Sequence, residues 1–377
     1  MNHRPKVLIV TPTYTHPQDQ GNSARIFAIG QRLQAAGCRV EVLFHVLEWS
    51  GDQGVAQMRA CWDAVHLLKS EPLGRQSFAT CWGLDDWCAD VLVDKVAALQ
   101  TANRYDAVIV NYVWLSKALE GVGDALKILD THDIFGDRHQ LAQRSGLAPN
   151  WYFTTAAEET RGFDRADIVL AIQADEQRAI AARTRAEVML LTHPVTLPQI
   201  DALRRRGGPL ATFGYIGSAN PWNQMAVLDI DAAFAGRGMD WLLAGRISCL
   251  PMALRSHPFI LGQVGAVADF YAAVECTLNP MPDATGLKIK TIESLAHDTP
   301  IIGTAAAFAG LSPEHACHMC RNAGDIGDAA AEFERSAALR ADLRAAGRRL
   351  FFTYLSGVDA QYGALRDRVG AYHRRSA

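Results

Sequence analysis

Residues 285–304 read T-G-L-K-I-K-T-I-E-S-L-A-H-D-T-P-I-I-G-T and carry the densest set of side chains suited to holding a charged ligand. Thr285 and Gly286 form a small-residue turn that opens a helix, and Ile289, Ile292 and Ala296 recur at the spacing of a core face. Lys290 and Glu293 stand three apart and share another face. Such a turn offers unpaired backbone N–H groups and the positive end of the helix dipole, which suits phosphate. A carboxylate one turn further on can accept hydrogen bonds from ribose hydroxyls. Phosphate at the turn and ribose at Glu293 together describe a nucleoside diphosphate site. An amphipathic helix followed by a buried strand would explain the apolar positions, but not Lys290 with Glu293.

Two other groups of residues invite a chemical reading. Asp130-Thr131-His132-Asp133 directly follows the strand-like run Lys127–Asp130. Polar residues there lie at a strand's carboxyl end, where open α/β sheets bind ligands. A lone His is more often structural, but its place after a strand and the Asp-Thr-His-Asp context favour the functional reading of His132. Cys317-His318-Met319-Cys320 is a C-x-x-C, yet Cys81 and Cys88 are spaced too widely to supply a second zinc pair. Buried free thiols are the preferred reading, and no cluster with convincing metal-ligand spacing appears.

These residues need two α/β domains to position them. Lys6–Thr11 reads as a buried parallel strand, residues 23–36 as a helix with Gly37 as its cap, and Arg39–Phe44 as a second strand. This βαβ unit lacks G-x-G-x-x-G, which argues against a dinucleotide cofactor. Further strands are expected at Asp106–Asn111, Lys127–Asp130, Ala166–Gln173, Thr212–Ser218, Trp241–Gly245, Cys276–Pro280 and Ile301–Ile302. Trp49, Trp62, Trp82 and Trp87 fall in a poorly patterned stretch; they are open to sugar stacking, a membrane interface or plain packing. Tandem Gly and Pro mark a linker, in which Arg204–Arg206 read as a solvated helix end.

The 377 residues exceed one typical core. Their 37 basic and 40 acidic side chains give a net charge of −3, which argues against a nucleic-acid binder. The N-terminus enters a strand without the features of a signal peptide, and no apolar run approaches a bilayer's thickness. The expectation is a cytoplasmic protein, with peripheral membrane attachment left open and its cysteines reduced.

The stretch Ala284–Lys290, with Glu293-Ser294-Leu295-Ala296, Pro300-Ile301-Ile302 and Ala309-Gly310-Leu311, resembles the donor-binding motif of group 1 glycosyltransferases (glycosyltransferase family 4) of GT-B fold. Gly262–Val267 and Asp269–Tyr271 are similar to the segment preceding that motif. The resemblance implies two Rossmann-like domains facing a central cleft: an acceptor domain at 1–191, a linker at 192–209, a nucleotide-sugar donor domain at 210–349, and a helix at 350–377 crossing back. It implies that Gly217, Ser218, Thr285, Gly286, Leu287, Lys288 and Glu293 hold the donor nucleotide and that His132 reaches the donor sugar or the reaction centre. Asp133, Asp137 and Arg138 are weaker contributors. Gly21, with Asn22 and Arg25 beside it, either faces the cleft or relieves a turn. The family's first Glu falls on Thr285 here. Its cations after Gly217 are replaced by Asn220, Trp222 and Asn223, which leaves Lys290, Lys288 and Arg246 to meet the phosphate charge.

The implied activity is transfer of a sugar from a nucleotide-diphosphate sugar to a hydroxyl acceptor, a glycan or lipid-linked glycan among them, in surface polysaccharide or glycoconjugate synthesis. The family's retention of configuration carries over by resemblance, with His132 and Lys290 catalytic and with neither metal nor cofactor beyond the donor. A nucleotide-sugar epimerase of the same fold and a non-catalytic nucleotide-sugar-binding partner subunit are the alternatives.

Overall fold

The computed structural model describes residues 4–18, 20–47, 49–69, 75–149, 151–195, 208–281 and 286–376. The chain divides into two compact units, one of Met1–Pro194 with Gly357–Ala377, the other of Val195–Ser356. Arg204–Arg206 lie outside the described residues.

In the first unit seven strands pair in parallel: β1 Lys6–Thr11, β2 Arg39–Val46, β3 Ala64–Lys69, β4 Ala107–Asn111, β5 Leu126–Asp130, β6 Ile168–Ala171 and β7 Glu187–Leu190. Their order is β3-β2-β1-β4-β5-β6-β7, so it reverses between β1 and β4. The central strands are apolar runs because a parallel sheet is covered on both faces. Register places Val10 opposite Val110 and Asn111 opposite Asp130, aligning the carboxyl ends of β1, β4 and β5. The helix Gly21–Ala35 buries Arg25, Ile26, Ile29 and Leu33, a single helical face. It ends as its sequence predicts: Gly37 takes φ 90°, Gly37 N–H reaches Gln34 O, and Cys38 N–H reaches Leu33 O.

Packing claims most of the tryptophans. A Cβ on Gly30 would come within 2.5 Å of the Trp62 ring, so only glycine lets that indole lie on the helix. Trp87 and Trp114 join the core, and Trp82 packs against it. Trp49 remains 54% exposed.

The second unit repeats the arrangement with β8 Ala211–Ile216, β9 Trp241–Ala244, β10 Phe259–Gly262, β11 Val274–Asn279 and β12 Ile301–Gly303. The order β10-β9-β8-β11-β12 reverses between β8 and β11. The helix Pro221–Phe234 follows β8. Asn220 caps it by accepting from Asn223 N–H, and Pro221 fills a first-turn position where no N–H is needed. Cys317 and Cys320 are buried and free, as expected. They flank a 3₁₀ turn, Ala316–His318, with one parallel bridge from Cys320 to Thr304. A 40-residue helix, Ala337–Ser376, closes the chain, and its residues from Gly357 onward belong to the first unit. Among the described residues no helix is long and apolar enough to cross a membrane.

Candidate functional site

The second unit gathers polar groups at the carboxyl ends of β8 and β11, where its strand order reverses, the place at which open α/β sheets bind ligands. Lys290 stands in the first turn of the helix Ile289–Ala296, with Lys288 at its N-cap. Its Nζ donates to Tyr215 Oη at 2.7 Å and Asn223 Oδ1 at 2.8 Å, and lies 4.2 Å from the Tyr215 ring centroid. Burial, then the charge of Lys288, lowers the Lys290 pKa to about 7 against the opposing pull of Glu293. Asn223 turns its other amide atom the opposite way, donating to Ser218 O at 2.8 Å and Ser218 Oγ at 3.1 Å. The loop after β8 is thereby tied to the Lys290 ammonium through one side chain. Glu293, one turn on, accepts from Tyr271 Oη at 3.2 Å, and burial raises its pKa to about 7. Gly217 and Gly245 cross closely: a Cβ on Gly245, whose φ is 83°, would lie 2.5 Å from Gly217 O.

The first unit gathers a second group after β4 and β5. His132 Nε2 lies 2.8 Å from Asn111 Oδ1 and 3.3 Å from Asp130 Oδ2. Its ring stacks on Tyr112 with centroids 4.2 Å apart. Tyr112 and His132 both take left-handed backbone, φ 72° and 58°, as residues held at functional sites often do. Asp130 is the partner of fully buried Arg25, whose Nη2 donates to Oδ1 at 2.6 Å, while Nη1 donates to Leu191 O at 2.8 Å. Burial drives the His132 pKa down to about 4, Asp130 pulling the other way, so the ring is neutral at pH 7.

No protein-family model matches this sequence, and no curated protein matches it. Solved structures do. The chain superposes on sucrose-phosphate synthase from Thermosynechococcus elongatus with a TM-score of 0.72 at 16% identity, covering 98% of this chain and 100% of that one. A variant of S. aureus TarM in complex with fondaparinux, alpha-GlcNAc-glycerol and UDP gives 0.68 at 9%, covering 96% and 99%. Anabaena HepE in complex with UDP gives 0.64 at 13%, covering 98% and 100%. The fold is GT-B.

Within this GT-B chain the sequence-derived site residues separate clearly. Gly217, Ser218 and Lys290 come together through Asn223, and Glu293 lies on the same helix as Lys290. Leu287 is buried, and Gly286 takes φ 77°, its carbonyl accepting from Lys288 Nζ at 2.8 Å. The helix opens at Ile289, three residues later than its expected opening at Gly286, and Thr285 lies outside the described residues. Arg246 is exposed at the start of a 3₁₀ turn and makes no ion pair among the described residues, so no contact joins it to Lys290. Gly21 is the exposed first residue of its helix, with no positive φ and no hydrogen bond to the His132 group. Arg25, beside it in sequence, is buried on Asp130. Asp133 pairs with Arg138 at 3.1 Å, and Asp137 is a left-handed N-cap. Sequence reasoning missed Tyr215, Tyr271 and Asn111 as partners. For Asn223 a signal existed: three residues after a capping Asn, it sits in the first turn and faces back toward the strand end.

Proposed function

We propose that this chain is a glycosyltransferase that moves a sugar from a nucleoside-diphosphate sugar to a hydroxyl acceptor in polysaccharide or glycoconjugate synthesis. The observation that carries this reading is the company Lys290 keeps. Both its hydrogen-bond partners are neutral, and no carboxylate pairs with it among the described residues. Its charge is therefore available to an anion at the strand ends, beside the Gly217–Ser218 loop. Glu293 is spaced to accept from ribose hydroxyls. The presence of UDP in the TarM and HepE complexes supports a nucleotide ligand.

In the reaction the bond from the anomeric carbon to the diphosphate oxygen breaks, its electron pair leaving with the phosphate. Lys290, with the backbone N–H groups around Gly286 and Leu287, stabilises that developing charge. The acceptor oxygen bonds to the anomeric carbon on the face the diphosphate leaves, and its proton passes to the departing phosphate oxygen. Configuration is retained and no metal is needed.

Calorimetry with UDP, GDP and ADP, followed by sugar-transfer assays with the matching sugars, tests the reading. A nucleoside diphosphate should bind, and Glu293→Ala should weaken it by about 1–3 kcal/mol. Turnover should survive EDTA. No affinity for any of the three nucleotides, or turnover that returns only with manganese or magnesium, would count against the corresponding part.

A further inference from the structure

Among the described residues, the His132 imidazole has hydrogen-bond partners at one ring nitrogen and none at the other. Asn111 Nδ2 donates to Val10 O at 3.0 Å, which fixes the orientation of that amide and leaves Oδ1 turned toward His132 Nε2 at 2.8 Å. The second neighbour of Nε2 is a carboxylate oxygen, Asp130 Oδ2, at 3.3 Å. Asp130 cannot turn away, because buried Arg25 grips both of its oxygens, through Nε at 3.2 and 3.0 Å and Nη2 at 2.6 Å. Among the described residues Nε2 thus faces two acceptors and no donor, a setting that only an Nε2–H satisfies. In a neutral ring the other nitrogen then carries a lone pair. Nδ1 takes no hydrogen bond from any described residue. Tyr112 stacked on the ring and the left-handed backbone at His132 fix its plane.

We propose that Asn111 and Asp130 lock His132 as its Nε2–H tautomer, so that Nδ1 accepts a hydrogen bond from a hydroxyl of a bound sugar. Asn111 is then a positioning residue, acting on the ligand through His132. The group recognised is a hydroxyl that donates; a carbonyl or phosphate oxygen at the same place would face a lone pair and be rejected. The identity of the hydroxyl as a sugar's rests on the glycosyltransferase reading, whereas the tautomer does not.

Long-range ¹H–¹⁵N spectra of the histidine-labelled full chain test the lock, with His132→Gln used to assign the ring. Wild type should show a protonated Nε2 and an unprotonated Nδ1 at pH 7. The pattern should persist to about pH 5, because burial takes the ring's pKa down to about 4. In Asn111→Leu the Nδ1 signal should move toward the protonated position. Turnover should fall by at least about tenfold while UDP affinity holds, since the nucleotide site is untouched. A protonated Nδ1 in wild type, or two averaged tautomers, overturns the proposal, even if the variant does not fold. A folded Asn111→Leu with wild-type turnover overturns the positioning role. The expected tautomer in a wild-type protein that transfers no sugar from any donor would uphold the lock and sink the glycosyltransferase reading instead.

Discussion

At the scale of single residues, the proposed nucleotide site trades stability for charge. Lys290 has its pKa lowered from 10.5 to about 7 in the folded chain, so between those values the unfolded chain binds the extra proton and stability rises with pH. Glu293 has its pKa raised from 4.5 to about 7, so across that interval the folded chain binds the extra proton and stability falls as pH rises. Both costs meet near pH 7. Lys290→Met and Glu293→Gln should therefore each raise the melting temperature of the ligand-free protein at pH 7 while weakening nucleotide binding, the trade expected of residues kept for function. A variant that melts lower than wild type and binds UDP as tightly would refute this. A bound diphosphate restores the Lys290 proton, so nucleotide affinity should fall from pH 7.5 to 9, and Lys290→Met should flatten the profile. Titrations in buffers of different ionisation enthalpy would register the proton taken up.

At the scale of elements, what was legible in the sequence follows burial. The strands found by pattern, such as Lys6–Thr11 and Asp106–Asn111, are central runs buried on both faces, and their apolar continuity survives any reading frame. The strands that escaped, Ala64–Lys69, Glu187–Leu190 and Phe259–Gly262, all lie at sheet edges. Solvent reaches both faces there, adjacent Phe259 and Ile260 being 59% and 58% exposed; His66 breaks the first of these runs, and the apolar runs of the other two are only three or four residues long, too short to mark a strand. The site divides the same way. Lys290 with Glu293 is visible because helical spacing is local. The contacts of Lys290 with Tyr215 and of His132 with Asn111 span 75 and 21 residues, and no local pattern encodes them. The crossing of Gly217 and Gly245 is equally non-local, and it is sharp enough to test. Gly245→Ala would force a Cβ to within 2.5 Å of a backbone oxygen and a side chain onto φ 83°, so it should displace the Gly217–Ser218 loop. Thermal melting should drop, and calorimetry should show nucleotide affinity falling with it; a variant unchanged in both would detach that loop from the site.

At the scale of the whole molecule, the last helix serves two cores. Its first half is held within the second unit: Arg344 and Arg348 both pair with Asp298, at 3.2 and 2.6 Å, just beyond the helix that carries Lys290 and Glu293. Its second half is held within the first unit. There Gln361 accepts from the N–H and hydroxyl of Thr192, both at 2.8 Å, and His373 Nδ1 lies 2.7 Å from Asp106. Val358, Leu365 and Val369 are fully or almost fully buried along this half. Because buried Leu365 belongs to the first unit, Leu365→Ala should act on that unit. Loss of its buried methyls should destabilise the first unit by about 2–5 kcal/mol. If the nucleotide is held wholly by the second unit, through Lys290, Glu293 and the Gly217–Ser218 loop, UDP affinity at a temperature where both units stay folded should match wild type. Added UDP should then raise only the melting transition of the second unit, because a ligand stabilises the fold it binds and no other. Chemical denaturation with and without UDP would decide it: a Leu365→Ala protein that loses nucleotide affinity in step with first-unit stability would mean that residues of the first unit also hold the nucleotide.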